Sequence, residues 1–509
     1  TMTGIQRENN YDMSYPGNST GQIAMYLNTG VGSGQLYEGG SITSSWGGGV
    51  TGDIIGVALD MDNNKVYFYN NGRGLGAGGF TGTPTAVTVP TGGGYTANCR
   101  SGSGAYDGPS TINFGQKPFK FPPPDGFQPL NDANVRPETV IARPDQFVGI
   151  VTYTGDANSS RKISGYNFAP DLVWAKQRTG TRSNILFDTV RGVQEPIYSD
   201  TTDGQVTAAT SLLSFNNDGF TVGTDYHLNQ SSSYDYVAWC WKAGGNKNTF
   251  NVDDVGYASA AAAGLNGGTI TPTGASVGTK QGFSIIKYTG TLTGTPGSGS
   301  MPTVPHGLQK SPSFVIAKAT VKDASHDGGD WFVWHHSTNL DFSLDLNLGA
   351  AGNAISSQGG GTMVAPTTSV FSTPYLSGIN AGTGSTYIAY FWHDVPGLQK
   401  FGTYSGNSST DGPFIELGFR PALFVMKQTD STGYWMVYDS ARDPINNGSP
   451  YYLFWNASSA HGTGYDLDFL SNGVKLRTNN ANFNTTSYVY MAWAEAPSVD
   501  LFGGGANAR

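Results

Sequence analysis

One ordered set of landmarks occurs three times along this chain, and it limits the fold more than any other feature. Each copy opens on a Tyr-Thr-Gly-like step, at Tyr153, Tyr288 and Tyr404. A proline-led apolar run ending in lysine follows: Pro170 to Lys176, Pro312 to Lys318 and Pro421 to Lys427. Next, "NILFDTVRG" (Asp188, Arg191) matches "WMVYDSARD" (Asp439, Arg442), whereas the middle copy reads "WFVWHHST" with His335 and His336. "SFNNDGF" and "FLSNGV" are strand–turn–strand patterns. Each copy closes on an aromatic run, "YDYVAWCW", "TYIAYFW" or "SYVYMAWAEA". Landmarks repeating in order over so long a period indicate tandem domains of one fold and exclude a short-period solenoid.

The closing runs have strand character. In the last, Tyr488, Tyr490, Ala492 and Ala494 alternate with Val489, Met491 and Trp493. Both faces are apolar, as in a central strand covered on two sides. With 72 Gly, only 13% charged residues and 12% aromatics among 509 residues, polarity comes from hydroxyls, amides and turns. That is the profile of an all-β protein with many tight turns. The length suggests three to five domains of about 100–150 residues. The expected fold is tandem antiparallel β-sandwiches of jelly-roll or concanavalin-like type. The boundaries read 1–122 for a first sandwich, 123–145 for a proline-rich linker and 146–245 for the first repeat. Then come a Gly/Ala/Thr-rich linker 246–281, repeats at 282–397 and 398–497, and a tail 498–509. "YASAAAAGLN" (Tyr257 to Asn266), with Gly264 as its cap, is the one helix-like run.

A net charge of −9 without any basic run argues against nucleic acid as a partner. No apolar stretch is long enough for a membrane-spanning helix, so membrane insertion is not expected. Cys99 and Cys240 lack zinc-site spacing and cannot make a disulfide framework. Cys240, inside an aromatic strand, reads as a small buried thiol.

The first segment differs. "GDIIGVALDMDNNKVYFYNNG" (Gly52 to Gly72) is a strand, a turn at Asn63-Asn64 and a second strand ending on Asn-Gly. It resembles the hairpin of the SPRY domain, a concanavalin-like sandwich, through Asp53, Gly56, Asp60, Phe68, Asn70 and Gly72. Only the later half of that domain is clear. The opening strands are weak, and with Thr1 as first residue an N-terminally truncated domain is expected.

Taken with "NFGQKPF…PPPDGF", the "PDLVWAK…FDTVRG…SFNNDGF…YVAWCWKAG" unit and the terminal "MAWAEAPSVDLFGGGANAR", the chain is similar to tail-fibre-like virion proteins of marine and cyanobacterial tailed phages. That resemblance implies a structural or adhesive role on the outside of the virion, usually as a homotrimer. Its partners would be other virion tail proteins and a host cell-surface glycan or protein. A trimer also has a physical motive, because small sandwiches bury modest cores and association adds apolar contact. The resemblance carries no set of functional residues. The expectation is a non-enzymatic receptor-binding fibre. The alternatives are a purely structural virion component (head fibre, decoration or tail protein) and a polysaccharide-degrading tailspike.

Catalytic signals are weak. The acids of "YDLDF" (Asp466, Asp468) and "DFSLD" (Asp341, Asp345) fit the polar faces of strands better than a paired-carboxylate cleft. "GLGAGG" lacks the strand–helix setting of a phosphate loop, and no HExxH, GxSxG or Walker pattern is present. His335 and His336, adjacent on a strand, point to opposite faces and cannot easily share a metal. Neither a metal nor a cofactor is expected. Asp188–Arg191 and Asp439–Arg442 read as ion pairs or turn fixtures. Sugar rings stack on aromatic faces while amides take their hydroxyls. The candidate ligand residues are therefore Tyr451, Tyr452, Trp455, Asn456 and His461, in a loop-rich stretch of the last repeat.

Overall fold

The computed structural model describes residues 140–497, apart from 292–300, 322–328 and the single positions 362, 381, 383, 445 and 447. It also describes residues 111–130, and the strands with parts of their connections in residues 2–100. The tail 498–509 lies outside the described residues. Among the described residues there is no α-helix, and the strands form antiparallel sheets with one parallel pairing, Phe250–Val252 on Gly274–Gly278. The fold is all-β, as the turn-rich composition predicts. Two compact units, Thr1–Arg136 and Pro137–Arg509, divide the chain.

The first unit is a sandwich of two sheets. Strands Tyr95–Arg100, Met2–Arg7, Gln22–Tyr26, Ser33–Glu38 and Ser41–Gly47 make one, so strands are present where their sequence signal is weak. Ile55–Asp60, Lys65–Asn70, Arg73–Gly76 and Gly79–Gly82 make the other, with Val87–Thr88 on Lys65–Asn70. Ile23, Met25 and Leu36 meet Val66, Phe68 and Leu75 between them. The SPRY-like hairpin pairs Ile55 with Asn70 through Asp60 with Lys65. Asn64 makes its turn at φ 53°, a left-handed conformation that Asn tolerates. Asp53 ties the hairpin's far end. Its carboxylate accepts from Val50 N, Asn70 Nδ2 and Asn71 Nδ2 at 2.8, 3.0 and 2.6 Å. These bonds, Asn70's first, hold it below the usual carboxylate range.

In the second unit each repeat is a sandwich with one large and one small sheet. The large sheets run through the landmark strands. They are Val148–Thr154, Asp235–Trp241, Leu172–Gln177 and Ile185–Asp188 in the first repeat, and Gln399–Ser405, Ser487–Pro497, Phe419–Gln428 and Met436–Asp439 in the third. The second repeat repeats that order in Phe283–Thr289, Thr386–Trp392, Phe314–Val321 and Phe332–His335. In the first and third repeats the small sheets carry the strand–turn–strand patterns. Gly219 and Gly473 open the second strand of those hairpins in the first and third repeats. A Cβ there would lie 2.0 Å from Ile163 O or 2.1 Å from Ile415 O, so close backbone approach fixes both glycines.

Inside each repeat the opening tyrosine stacks on the first tyrosine of the closing strand. Tyr153–Tyr236, Tyr288–Tyr387 and Tyr404–Tyr488 have centroids 5.2, 5.4 and 4.7 Å apart. The opening hydroxyls donate to the carbonyls of Leu228, Ile379 and Phe483. In all three repeats the next residue in the chain, Asn229, Asn380 or Asn484, is fully buried. Its side-chain oxygen accepts from the backbone after the Tyr-x-Gly step, at Asp156 N, Thr291 N or Asn407 N.

The three sandwiches are not separate. One face of each large sheet closes its own sandwich, and the other face enters a single core shared by all three. Val237, Trp239 and Trp241, then Ile388, Tyr390 and Trp392, then Val489, Met491 and Trp493 all enter that common core. The intervening residues, such as Ala238, Phe391 and Tyr488, line the three private cores. This explains closing strands that are apolar on both faces. Trp241, Trp392 and Trp493 occupy equivalent positions and meet edge to face at 5.3–6.3 Å and 69–71°. The positive edge of one ring on the negative face of the next adds about 0.5–1.5 kcal/mol per pair beyond area burial. Nearly equal angles among equivalent residues mark a pseudo-threefold axis. The apolar contact that motivates a trimer of chains is thus made among three repeats of one chain.

Polar contacts run around the same ring. The repeated lysines are buried and each reaches a carbonyl of the preceding repeat. Lys176 donates to Ser458 O (3.0 Å), Lys318 to Thr201 O (3.4 Å) and Lys427 to Gly349 O (3.4 Å). Asn184, Trp331 and Trp435 occupy one equivalent position and do likewise, to Phe454 O, Tyr198 O and Asp345 O. Asp188, His335 and Asp439 reach the other way. Asp188 accepts from Tyr390 OH (2.8 Å) and Asp439 from Trp239 Nε1 (3.0 Å). Both aspartates also pair with their arginines at 2.6 Å in fully buried sites, which bears out the reading of Asp188–Arg191 and Asp439–Arg442 as ion pairs. The middle copy departs for a physical reason. The residue equivalent to Tyr390 and Trp239 is Met491, which has no donor for a carboxylate. His335 stands there instead, with Nε2 3.3 Å from Tyr490 O. Burial, with His336 beside it, pushes its pKa down to about 3, so the ring is neutral.

Segment 246–281 does more than link. Phe250–Val252, Val255–Tyr257 and Gly274–Gly278 extend the second repeat's large sheet to eight strands. Leu265 and Ile270 enter its private core. Beyond Tyr257, which ends a strand, residues 258–264 form bends and turns, not the helix their alanines suggest. Ala260 and Leu265 are drawn into that core, and the single bond Ala263 N to Ser259 O is too little to nucleate a helix. Gly264 does take the left-handed φ of 73° expected of it.

Candidate binding surfaces

The five candidate ligand residues lie on or after the strand Tyr451–Phe454, and the structure separates them. Period two puts Tyr451, Leu453 and Trp455 on the common-core side. Trp455 is 1% exposed and stacks on Trp174 of the first repeat at 4.0 Å and 18°. No ligand reaches it, so its place in the candidate set is corrected to an inter-repeat packing role. Asn456 is half-buried, and its Oδ1 accepts from Trp435 N at 2.9 Å, a bond that Asn347 makes to Trp331 N in the second repeat. Tyr451 and His461 remain half-buried and stack at 4.5 Å and 13°. Burial, then Arg442 and Arg178, pushes the His461 imidazole down to about 4, and its backbone N–H donates to Arg178 O. The pair closes the seam between the third and first repeats.

Tyr452 lies on the other face with Phe454, and Tyr465 packs beside it at 5.0 Å. Tyr434, 49% exposed, covers Phe454 at 4.2 Å. Tyr434, Phe454 and Tyr452 therefore form an aromatic patch open to solvent.

A second patch stands at the corresponding place in the first repeat. Tyr198 is the counterpart of Phe454, since each faces the first residue of its neighbouring strand, Ile185 or Met436. Tyr226 is 47% exposed, with the Arg182 guanidinium 4.3 Å over its ring and His227 4.3 Å away. His227 Nδ1 is 3.1 Å from Asp225 Oδ1. This patch is missed in the sequence because "TDYHLNQ" shows no aromatic run. In the second repeat, acids replace the aromatics: Asp330 precedes Trp331 as Tyr434 precedes Trp435, and Asp345 stands where Phe454 does. Burial, with Asp330 close by, raises Asp345 to about 6.

A separate cleft of about 340 Å³ opens between the second and third repeats, with Ser337, Asn339 and Phe342 facing Thr403, Ser405 and Ser487. His336 lies near it, and its Nε2–H donates to Phe401 O, 3.0 Å away. Among the described residues no group of three or more His, Cys, Asp or Glu is placed to hold a metal. Cys240 is fully buried, and burial pushes its thiol far above the ordinary range.

Fold and surfaces together define a threefold cluster of β-sandwiches carrying solvent-facing aromatic patches. The chain belongs to the family described as "Domain of unknown function (DUF7483)", whose model matches residues 143–497. That span takes in all three repeats. Over 92 residues the chain is also 41% identical to an Arabidopsis thaliana protein named E3 ubiquitin-protein ligase RKP. That match covers 18% of this chain and 6% of the plant protein.

Proposed function

We propose that this protein is an external appendage component of a tailed-phage virion, tail-fibre-like, that binds a host cell-surface glycan without chemically altering it. The observation that carries the reading is the pair of aromatic patches at corresponding places in the first and third repeats. Each holds a solvent-exposed tyrosine, and the first adds a guanidinium, a group that donates to sugar hydroxyls. The motifs shared with virion proteins supply the setting: the outside of a particle, among other tail proteins. One tyrosine face contributes little by itself, about 0.5–1.5 kcal/mol by analogy with aromatic pairs. Two patches on one scaffold would raise affinity for a repeating glycan through effective concentration.

The test applies the fluorescently labelled whole chain to an array of bacterial surface polysaccharides. Saturable binding is expected, weakened at least tenfold by Tyr434→Ala and by Tyr226→Ala, with unfolding midpoints unchanged. A folded chain that binds no glycan while remaining tightly on the particle would replace this reading with a purely structural virion role. Release of reducing sugar from a bound polysaccharide would replace it with a depolymerase.

A further inference from the structure

We propose that the outer edge of the strand Gln399–Ser405, at Thr403 and Ser405, is a docking site for an extended strand of a second polypeptide, which adds to it antiparallel. This goes beyond glycan recognition and does not depend on it.

The ladder to Ser487–Pro497 fixes which backbone groups face outward. Ser405 lies opposite Ser487, and Gly406 N donates to Thr486 O at 2.7 Å. Residues 401, 403 and 405 therefore turn their N–H and C=O away from that strand. Gln399 exchanges backbone bonds with Val395, and Phe401 is capped, with its N–H on Asp394 Oδ1 at 2.7 Å and its carbonyl accepting from His336 Nε2 at 3.0 Å. Thr403 and Ser405 are exposed. Among the described residues nothing bonds to their outward backbone groups. An uncovered edge is a ready template for pairing, and between Thr403 and Ser405 neither lysine nor proline blunts it.

The same edge is treated differently in the other repeats. In the second, Lys287 is the counterpart of Thr403, and the chain's own strand Gly274–Gly278 covers it. Gly274 lies opposite Lys287, and Thr273 N donates to Lys287 O at 2.7 Å. The wall of that groove comes from the preceding repeat: a Cβ on Gly274 would sit 3.0 Å from Val190 Cγ1. In the first repeat, the Arg161 guanidinium donates to the carbonyl of Thr154, the counterpart of Ser405. In the third, the counterpart of Val190 is Ser337, which faces Thr403 across the 340 Å³ cleft. A strand reading Gly-Ala-Ser-Val-Gly covers this edge of the second repeat up to the counterpart of Thr403, whereas in the third repeat the edge is open at Thr403 and Ser405. The occupant it fits is an extended segment of small residues held through its backbone, the β-augmentation mode of recognition.

The probe is a labelled peptide with the sequence of residues 271–280, titrated into the whole chain by fluorescence anisotropy. Hydrogen exchange of residues 399–406 is followed with and without peptide. Saturable binding with slowed exchange at Thr403 and Ser405 is expected. Thr403→Pro removes one outward N–H, and proline is tolerated on an edge strand in that orientation. It should weaken binding at least tenfold, while Thr403→Ala and Ser405→Ala leave it unchanged. Thermal unfolding of each variant checks that the fold persists. Absent binding, unchanged binding by a folded Thr403→Pro, or loss with the alanine variants would overturn the proposal. The last result would show recognition through hydroxyls, as a saccharide would use.

Discussion

If the common core holds the three sandwiches together, none should fold alone. Residues 398–497 place eleven side chains in that core, among them Leu423, Val425, Trp435, Met491 and Trp493. Full burial of such a side chain is worth about 1.5–3 kcal/mol. If excision re-exposes only half of that area, the loss is about 8–16 kcal/mol. That equals the whole net stability of an ordinary domain, about 5–15 kcal/mol. The fragment 398–497 is therefore expected to be unfolded or self-associated. Residues 137–509 should unfold in urea as one transition, coincident by tryptophan fluorescence and far-ultraviolet circular dichroism. A monomeric 398–497 with a cooperative transition, or three resolved transitions in 137–509, would refute the shared-core argument.

Three further outcomes follow from the inter-repeat contacts. Trp493→Ala, which breaks two of the three edge-to-face pairs, should cost about 3–5 kcal/mol in urea unfolding. His335→Asp would leave a buried carboxylate facing a carbonyl and Met491 without a compensating arginine. It should cost about 3–5 kcal/mol and recover in part on adding Thr338→Arg. Burial pulls the Lys176 ammonium down to about 7 and that of Lys427 to about 8, each opposed by a nearby aspartate. Between those values and the ordinary lysine range the unfolded chain binds more protons, so stability should rise with pH from about 7 upward. Lys176→Met should flatten that rise in unfolding measured from pH 6 to 10.

Much of this architecture is legible in the sequence, because it rests on local periodicity. The closing strands show period two, the hairpins show their turn residues, and the tyrosine–glycine openings recur in order. The common core is half legible. Val489, Met491 and Trp493 announce a covered face, but periodicity cannot say that the cover comes from two other repeats. The same limit misplaces Trp455: in "YYLFW" it looks like one more surface aromatic, while its alternation with Tyr451 and Leu453 sends it inward onto Trp174. The segment 246–281 is illegible for another reason. Its strand Gly274–Gly278 is built of small residues whose apolar alternation is limited to Ala275 and Val277, and partner strands on both sides determine its conformation. The first-repeat patch around Tyr226 arises from residues far apart in the chain, which no local pattern brings together.

The ring of inter-repeat contacts also bears on how such a molecule can diversify. In an assembly of three identical chains, any substitution at a seam appears at all three seams at once, so no seam changes alone. Here the seams are encoded separately. One pairs a carboxylate with a tyrosine, one a carboxylate with an indole, and one a neutral imidazole with a backbone carbonyl. The same independence extends outward, where the first and third repeats present aromatic residues and the second has acids in their place. Covalent linkage has turned one symmetric design into three addresses, each free to change without disturbing the scaffold they share.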